Sequence, residues 1–168
     1  MKYPMTAPLD NLIEALRNEL QQYGEMLALL DHQRELVKQR GSDDILHSIA
    51  AISTQSAMIQ VARETRMFNQ RQLSQALKER LDAPFGTLIP RLPAEYQPLV
   101  RALIQENNEL LLRVRERAQE NQVLLRRSVD MMQQFITAIT PHNRAAPAGK
   151  QGRALATEPA GAFYEAIL

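Results

Sequence analysis

Apolar residues between Tyr96 and Thr140 recur alternately at intervals of four and three positions. The series is Tyr96, Val100, Leu103, Asn107, Leu110, Val114, Arg117, Asn121, Leu124, Ser128, Met131, Phe135 and Ala138. A mean period of 3.5 residues keeps one narrow face of a helix turned towards a partner helix. The pattern therefore predicts a long helix in this region that packs against other helices.

Polar residues interrupt this seam at Asn107, Arg117, Asn121 and Ser128. A polar residue at a seam position usually sets the register or the choice of partner, at some cost in stability. The imperfect seam thus indicates a protein that works by interaction rather than by chemistry.

The same alternation predicts a first helix that begins near Asp10. Its apolar positions are Leu9, Ile13, Leu16, Leu20, Tyr23, Leu27, Leu30 and Val37. Gly41 supplies a left-handed stop, and Ser42 is a suitable N-cap for the next helix, with Asp43 and Asp44 in its first turn. This short joint predicts an antiparallel helical hairpin.

The second helix is predicted to run to about Leu81, before Pro84 and Gly86. The linker over residues 83–92 carries four large apolar side chains, those of Phe85, Leu88, Ile89 and Leu92. Exposing such side chains to water is unfavourable, so we expect the linker to fold back onto the end of the bundle.

The third helix is expected to open at Pro93 or Ala94, or slightly later near Pro98, because proline is tolerated in a first helical turn. The fold class is therefore all-α, an antiparallel bundle of three long helices with disordered termini. We divide the chain into a flexible arm over residues 1–8, a helical bundle domain over 9–140, and a disordered tail over 141–168 that ends in a short apolar motif.

The unequal lengths of these helices predict an uncovered end. At 1.5 Å per residue the third helix is the longest, and its last turns, with Phe135, Ile136 and Ile139, extend beyond the hairpin joint. We expect another helix to cover them, from a client protein or from a second copy. The alternative is a kinked third helix that buries its own end. At the linker end, the second and third helices are expected to pair without the first.

Composition indicates an intracellular protein. The 168 residues have a formal net charge of +1 and no cysteine, so no strong field attracts nucleic acid and no disulfide framework exists. The N-terminus lacks the apolar region of a signal peptide, and no uninterrupted apolar run approaches the roughly 20 residues that a bilayer span needs. We therefore expect a cytoplasmic protein without nucleic-acid binding or membrane insertion.

The sequence offers no catalytic constellation. His32, His47 and His142 each lack a second metal ligand at helical spacing, and the glycines form no phosphate-binding loop. The arginines of the third helix alternate with glutamates and lack interleaved aromatic residues, so a solvated, ion-paired face explains them. We predict no catalytic residues, no cofactor and no metal, and hence no enzyme.

Two segments resemble FlgN-type flagellar export chaperones. The first is LPAEYQPLVRALIQENNELLLRVRERAQENQVLLRRSVDMMQQF, where Asn121, Leu124, Leu125 and Ser128 fill the family's pattern of an asparagine, a leucine pair and a small residue. The second is LDNLIEALRNELQQYGEMLALLDHQRELV, which is similar to the family's first helix. The resemblance covers about residues 9–140.

This resemblance implies a cytosolic chaperone, a monomer or weak homodimer. It would bind the helical terminal segment of hook–filament junction proteins, prevent their premature assembly, and deliver them to the export gate and export ATPase of the flagellar type III apparatus. The residues expected to bind the client are Leu110, Val114, Asn121, Leu124, Leu125, Met131, Met132 and Phe135. Phe163 and Tyr164 are expected to contact the export machinery.

A second function remains open, that of a homo-oligomeric coiled-coil scaffold or adaptor protein. In that case identical seams pair between copies, and a stable dimer or larger oligomer is expected. The chaperone hypothesis instead predicts one-to-one complexes with a client.

Overall fold

The structure, a computed structural model, describes residues 6–39 and 42–139. Its long helices are α1 (Thr6–Gln39), α2 (Ser42–Ala76) and α4 (Gln97–Ile139), and the linker contains the short helix α3 (Phe85–Leu88) followed by one 3₁₀ turn (Ile89–Arg91). The described part of the chain contains no strand. The predicted all-α bundle of three long helices is confirmed, with a fourth, short helix added between the second and the third.

Helix α1 lies between the other two long helices. Gln22 of α1 bonds to Gln55 of α2, and Gln33 bonds to Ser48, so residue numbers fall along α2 as they rise along α1 and the two helices are antiparallel. The extensive contacts of α4 are likewise with α1, whereas α2 and α4 barely approach each other. Of the two helices of the hairpin, only α1 therefore packs extensively against α4.

Two apolar clusters hold α1 to its neighbours. The one at the linker end contains Leu9, Leu12, Ile13, Leu16, Leu73, Ile89, Leu92, Val100 and Leu103. The one in the middle of the bundle contains Tyr23, Met26, Leu30, Ile52, Ile59, Val114 and Ala118. Each buried aliphatic or aromatic side chain contributes roughly 1.5–3 kcal/mol, so these two clusters dominate the stability of the bundle.

The linker packs as expected. Leu88, Ile89 and Leu92 are buried, and Phe85 packs half-buried against the cluster at the linker end. The first turns of α1 reach the same cluster, so the expectation that α2 and α4 pair there without α1 is wrong. Because α1 begins at Thr6, it is long enough to cover that end.

Several predicted helix boundaries shift by a few residues. Because α1 begins at Thr6, the predicted arm over 1–8 loses its last three residues to the helix. Helix α2 ends at Ala76 rather than near Leu81, because Lys78 adopts a left-handed conformation with φ 57°. Helix α4 begins at Gln97, next to the later of the two predicted starts. Gly41 and residues 140–168 lie outside the described residues.

A buried ion pair links α1 to α2. The Nε of Arg66 donates to Oε2 of Glu19 at 2.6 Å, with 19% and 5% of the two side chains exposed, and the Tyr23 hydroxyl donates to the other Glu19 oxygen at 2.9 Å. Burial of the phenol raises the pKa of Tyr23 well above its usual value, and the Glu19 charge and its hydrogen bond add to the effect. This network satisfies a carboxylate that would otherwise be costly to bury.

Candidate functional site

Two asparagines fix the position of α4 along α1. The side-chain Nδ2 of Asn107 donates to the Leu16 carbonyl at 3.0 Å, and that of Asn121 donates to the Leu30 carbonyl at 2.7 Å. Both bonds join residues 91 positions apart, so the two helices are parallel and in constant register. The same offset places Gln39, the last residue of α1, level with Asp130.

Helix α4 therefore continues alone past the end of the hairpin. Residues 131–139 have no counterpart on α1, and at 1.5 Å per residue they extend about 14 Å beyond it. Every residue from Met131 to Ile139 is exposed. The alternative of a kinked third helix that buries its own end is excluded, because these side chains meet no cover within the described residues.

An apolar stripe begins on α4 beside the last turns of α1 and continues along the protruding part. We call it the distal stripe, and it consists of Leu124, Leu125, Met131, Met132, Phe135, Ile136 and Ile139. Its last five members are between 52% and 64% exposed. They follow Asn121 at helical intervals of three and four, so the stripe prolongs the face that α4 turns towards α1.

Charged residues border the upper part of the stripe. Arg117 pairs with Asp31 at 3.0 Å, and Arg34 pairs with Glu120 at 3.3 Å, across the junction of α1 and α4. A groove of about 450 Å³ lies here, lined by Arg34, Glu116, Gln119, Glu120, Val123 and Leu124. The groove joins charged and polar side chains to the apolar stripe at Leu124.

The structure divides the eight residues that the sequence assigned to client binding. Val114 and Asn121 are fully buried against α1, so they belong to the core and present no surface to a partner. Leu110 is half-buried against the middle cluster.

The remaining five belong to the distal stripe. Leu124 and Leu125 are half-buried at the end of the hairpin, and Met131, Met132 and Phe135 are exposed beyond it. The sequence-based set omitted Ile136 and Ile139, although the same helical spacing leads to them. Phe163 and Tyr164 lie outside the described residues.

The hairpin brings together two histidines that the sequence keeps apart. His32, Asp44 and His47 line one groove of about 390 Å³ between α1 and α2. The Nδ1 of His47 lies 2.8 Å from the Asp43 carbonyl oxygen of its own helix. Over residues 6–39 and 42–139, no group of three or more His, Asp or Glu side chains is arranged to hold a metal ion.

Among the described helices, α2 is long and apolar enough to cross a membrane by length and composition. The sequence predicted no membrane-spanning segment, because no apolar run is long enough without interruption. Polar residues interrupt α2, so the prediction missed that its mean hydropathy is high. The core helix of a soluble protein satisfies the same criterion. In this structure 28% of the apolar stretch of α2 is buried, and Ser48 and Gln55 of the helix form buried hydrogen bonds to α1.

These features define a class of protein, a helical bundle that presents an incomplete seam to other proteins. Comparison with protein families identifies the class more closely, because the model of the FlgN protein family matches residues 5–151. The chain belongs to the FlgN family and is a flagellar export chaperone, in a family that is not known for enzymes. Neither a curated protein nor a solved structure matches the chain.

Proposed function

We propose that this chaperone binds the helical terminal segment of hook–filament junction proteins along the distal stripe of α4. In this proposal it holds the junction protein in the cytoplasm, prevents premature assembly, and delivers it to the export gate and ATPase of the flagellar type III apparatus. The observation that supports the proposal is the continuation of the α1-facing seam beyond the end of α1.

A client helix would take the place that α1 vacates. Covering each exposed apolar side chain of the stripe contributes roughly 1.5–3 kcal/mol, less the cost of ordering the client segment. Met131 and Met132 suit this role, because the unbranched thioether side chain adapts to different partner surfaces. The ordering cost keeps the affinity moderate, which favours release at the export apparatus.

The client surface comprises Leu124, Leu125, Met131, Met132 and Phe135, extended by Ile136 and Ile139. Val114 and Asn121 leave the set because they are buried. Leu110 stays at its margin, since it is partly buried against the middle cluster.

A substitution of Phe135 by aspartate tests the proposal directly. The side chain is exposed, so Phe135→Asp should leave helicity and the unfolding midpoint unchanged. Affinity for a purified junction protein should fall at least about thirtyfold, the equivalent of about 2 kcal/mol. The matched control is Gln134→Asp, which places the same charge on an exposed polar position one residue away.

Isothermal titration calorimetry measures both affinity and stoichiometry. A one-to-one complex that Phe135→Asp abolishes and Gln134→Asp retains supports the proposal. Equal affinities for the two variants would refute the distal stripe as the client surface. Loss of self-association instead of client binding would favour the scaffold function.

For contact with the export machinery we propose Phe163 and Tyr164, on their sequence alone. Replacing both by alanine should leave the affinity for the junction protein unchanged and reduce its secretion by the cell. An unchanged level of secretion would remove these two residues from the proposal.

A further inference from the structure

Two adjacent methionines occupy the point where α4 leaves α1. Met131 and Met132 directly follow Asp130, which lies level with the last residue of α1, and their side chains are 53% and 59% exposed. At about 100° per residue, Met132 lies within about 20° of the line that continues from Asn121, and Met131 lies about 80° to one side. A helix that covers the distal stripe would therefore enclose both sulfur atoms.

Methionine supplies all of the sulfur in this chain. The sequence contains seven methionines, no cysteine and no tryptophan. An oxidant therefore meets no thiol that would react before the thioethers, and among the thioethers exposure decides which react. Met26 is fully buried, whereas Met58 and Met67 of α2 are 50% and 44% exposed. Met1 and Met5 lie outside the described residues.

The surroundings of the pair make an added oxygen costly in a complex. Residues 131–139 contain no charged side chain. Phe135 follows the two methionines at helical intervals of four and three, so it is their neighbour on the stripe. A methionine sulfoxide carries a polar oxygen that accepts hydrogen bonds, and an apolar client helix packed on the stripe offers that oxygen no donor. Burying an acceptor without a donor costs free energy, so oxidation opposes the contact that the thioethers favour.

We propose that Met131 and Met132 form a reversible oxidation site that lowers client affinity. The inference rests on the proposed function of the distal stripe and adds its regulation. In the reaction a peroxide transfers one oxygen atom to the thioether: the O–O bond breaks, an S–O bond forms from a sulfur lone pair, the sulfur loses two electrons, and the peroxide leaves as water or an alcohol. A methionine sulfoxide reductase reverses the step, with two thiols oxidised to a disulfide and the oxygen released as water.

Client binding and oxidation exclude each other in this proposal. A client helix on the stripe shields the two sulfur atoms from the peroxide, and sulfoxides weaken the contact with the client. The oxidant therefore acts on the empty chaperone and spares the loaded one. Under oxidative conditions new complexes stop forming, while complexes already formed keep their junction protein for export.

Peroxide treatment of the full chain tests the site. Purified protein is treated with hydrogen peroxide in the absence of client, and peptide mass spectrometry then measures the sulfoxide at each methionine. Met131 and Met132 should be oxidised, and Met26 should remain a thioether because it is buried. Affinity for a purified junction protein, measured by calorimetry, should fall at least about tenfold. Reduction by a methionine sulfoxide reductase should restore it, and helicity should stay unchanged throughout, because the two side chains belong to neither apolar cluster.

Leucine variants assign the effect to this pair. Met131→Leu with Met132→Leu keeps the apolar volume, so this variant should bind the junction protein within about threefold of the wild type and keep that affinity after peroxide treatment. The matched control, Met58→Leu with Met67→Leu on α2, should lose affinity on treatment as the wild type does. Met131→Gln with Met132→Gln places polar groups at both positions and should weaken binding without any peroxide.

Protection by the client is a second measurement. With free junction protein at about ten times its Kd, sulfoxide formation at Met131 and Met132 should slow about tenfold, because only the dissociated fraction reacts. Formation at Met58 and Met67 should keep its rate, since these residues lie on α2 and outside the distal stripe.

The outcomes separate this proposal from the proposed function. An untreated wild type that fails to bind the junction protein would remove the client surface, and the oxidation switch with it. An untreated wild type that binds, and binds equally well after both methionines are oxidised, would overturn the switch alone. A leucine double variant that still loses affinity on treatment would assign the effect to another methionine and overturn the site.

Discussion

The side-chain amide of Asn121 donates a hydrogen bond of 2.7 Å to the backbone carbonyl oxygen of Leu30, on the neighbouring helix α1. The same amide nitrogen lies 3.1 Å from Oε1 of Gln33, and the Asn121 side chain is fully buried. The Oδ1 atom of Asn121 has no hydrogen-bond partner. Asn107 lies two heptads earlier on α4, and its Oδ1 atom also has no partner, although its Nδ2 atom bonds to the Leu16 carbonyl. Both asparagines thus specify the register of α4 and cost stability in doing so.

Replacing Asn121 by leucine should therefore cost little. Asn121→Leu removes the unsatisfied oxygen and keeps the branching of the side chain at Cγ, so we expect the free energy of unfolding to change by less than about 1 kcal/mol. Asn121→Ala leaves a cavity and should cost about 2 kcal/mol. Urea denaturation at constant m-value measures both. If the leucine variant loses as much as the alanine variant, the amide contributes stability and not only register.

The ion pair between Glu19 and Arg66 should contribute far more to the free energy of unfolding than the ion pairs on the surface. Glu19→Gln removes the negative charge and leaves the arginine, 19% exposed, without compensation, so we expect a loss of about 3 kcal/mol. The exposed pair of Glu14 and Arg17, at 3.6 Å, is the matched control, and Glu14→Gln should cost less than about 1 kcal/mol. Similar losses in the two variants would show that burial does not govern the pair.

Tyr23 should make the fold sensitive to alkaline pH. Its pKa is raised in the folded state, first by burial and then by the Glu19 charge, so folding favours the protonated phenol. That contribution is complete below the ordinary tyrosine pKa of about 10 and is lost as the pH rises above it, by up to about 1.4 kcal/mol per pH unit.

Tyr23→Phe supplies the reference for this effect. The variant should be less stable than the wild type at neutral pH, because it lacks the hydroxyl that bonds to Glu19. The stability difference should then shrink between about pH 10 and 12. Thermal unfolding followed at several pH values measures it, and parallel curves for the two proteins would contradict the raised pKa.

Lys78 is a position where glycine should stabilise the protein. At the end of α2 its amide bonds to the Gln75 carbonyl and that of Glu79 to the Ser74 carbonyl, which is a Schellman motif with Lys78 in the left-handed conformation. Lys78→Gly should raise the free energy of unfolding by about 0.5–1 kcal/mol, and Lys78→Ala, which keeps the Cβ atom, should change it little. A glycine variant less stable than the alanine variant would contradict the assigned cap.

Lys78 also marks a helix end that the sequence did not predict. Apolar periodicity continues through Leu77 and Leu81, and no glycine marks the end of α2, so the pattern extended the helix beyond Ala76. The apolar linker gave a stronger signal, because Leu88 and Leu92 have no reason to be apolar unless they pack. Helix identity and the packed linker were predictable, whereas a left-handed lysine was not.

The candidate site was predictable in part for a related reason. A heptad pattern shows which residues share one face of α4, but it does not show where the covering helix ends. Val114 and Asn121 share that face with Met131 and Phe135, and they differ only in lying beside α1. The register set by Asn107 and Asn121 is a tertiary property, and it divides the seam into core and exposed surface.

The near-equal arms of the hairpin have a consequence of their own. Because α1 ends at Gln39 and α2 begins at Ser42, α4 continues alone beyond this end of the hairpin, and the length of its uncovered part depends on the length of α1. Removing one heptad from each arm would uncover a further 10 Å or so of seam without altering a single residue of α4. The exposed apolar area of α4 can thus change in evolution through the length of α1, a helix that carries none of the exposed residues.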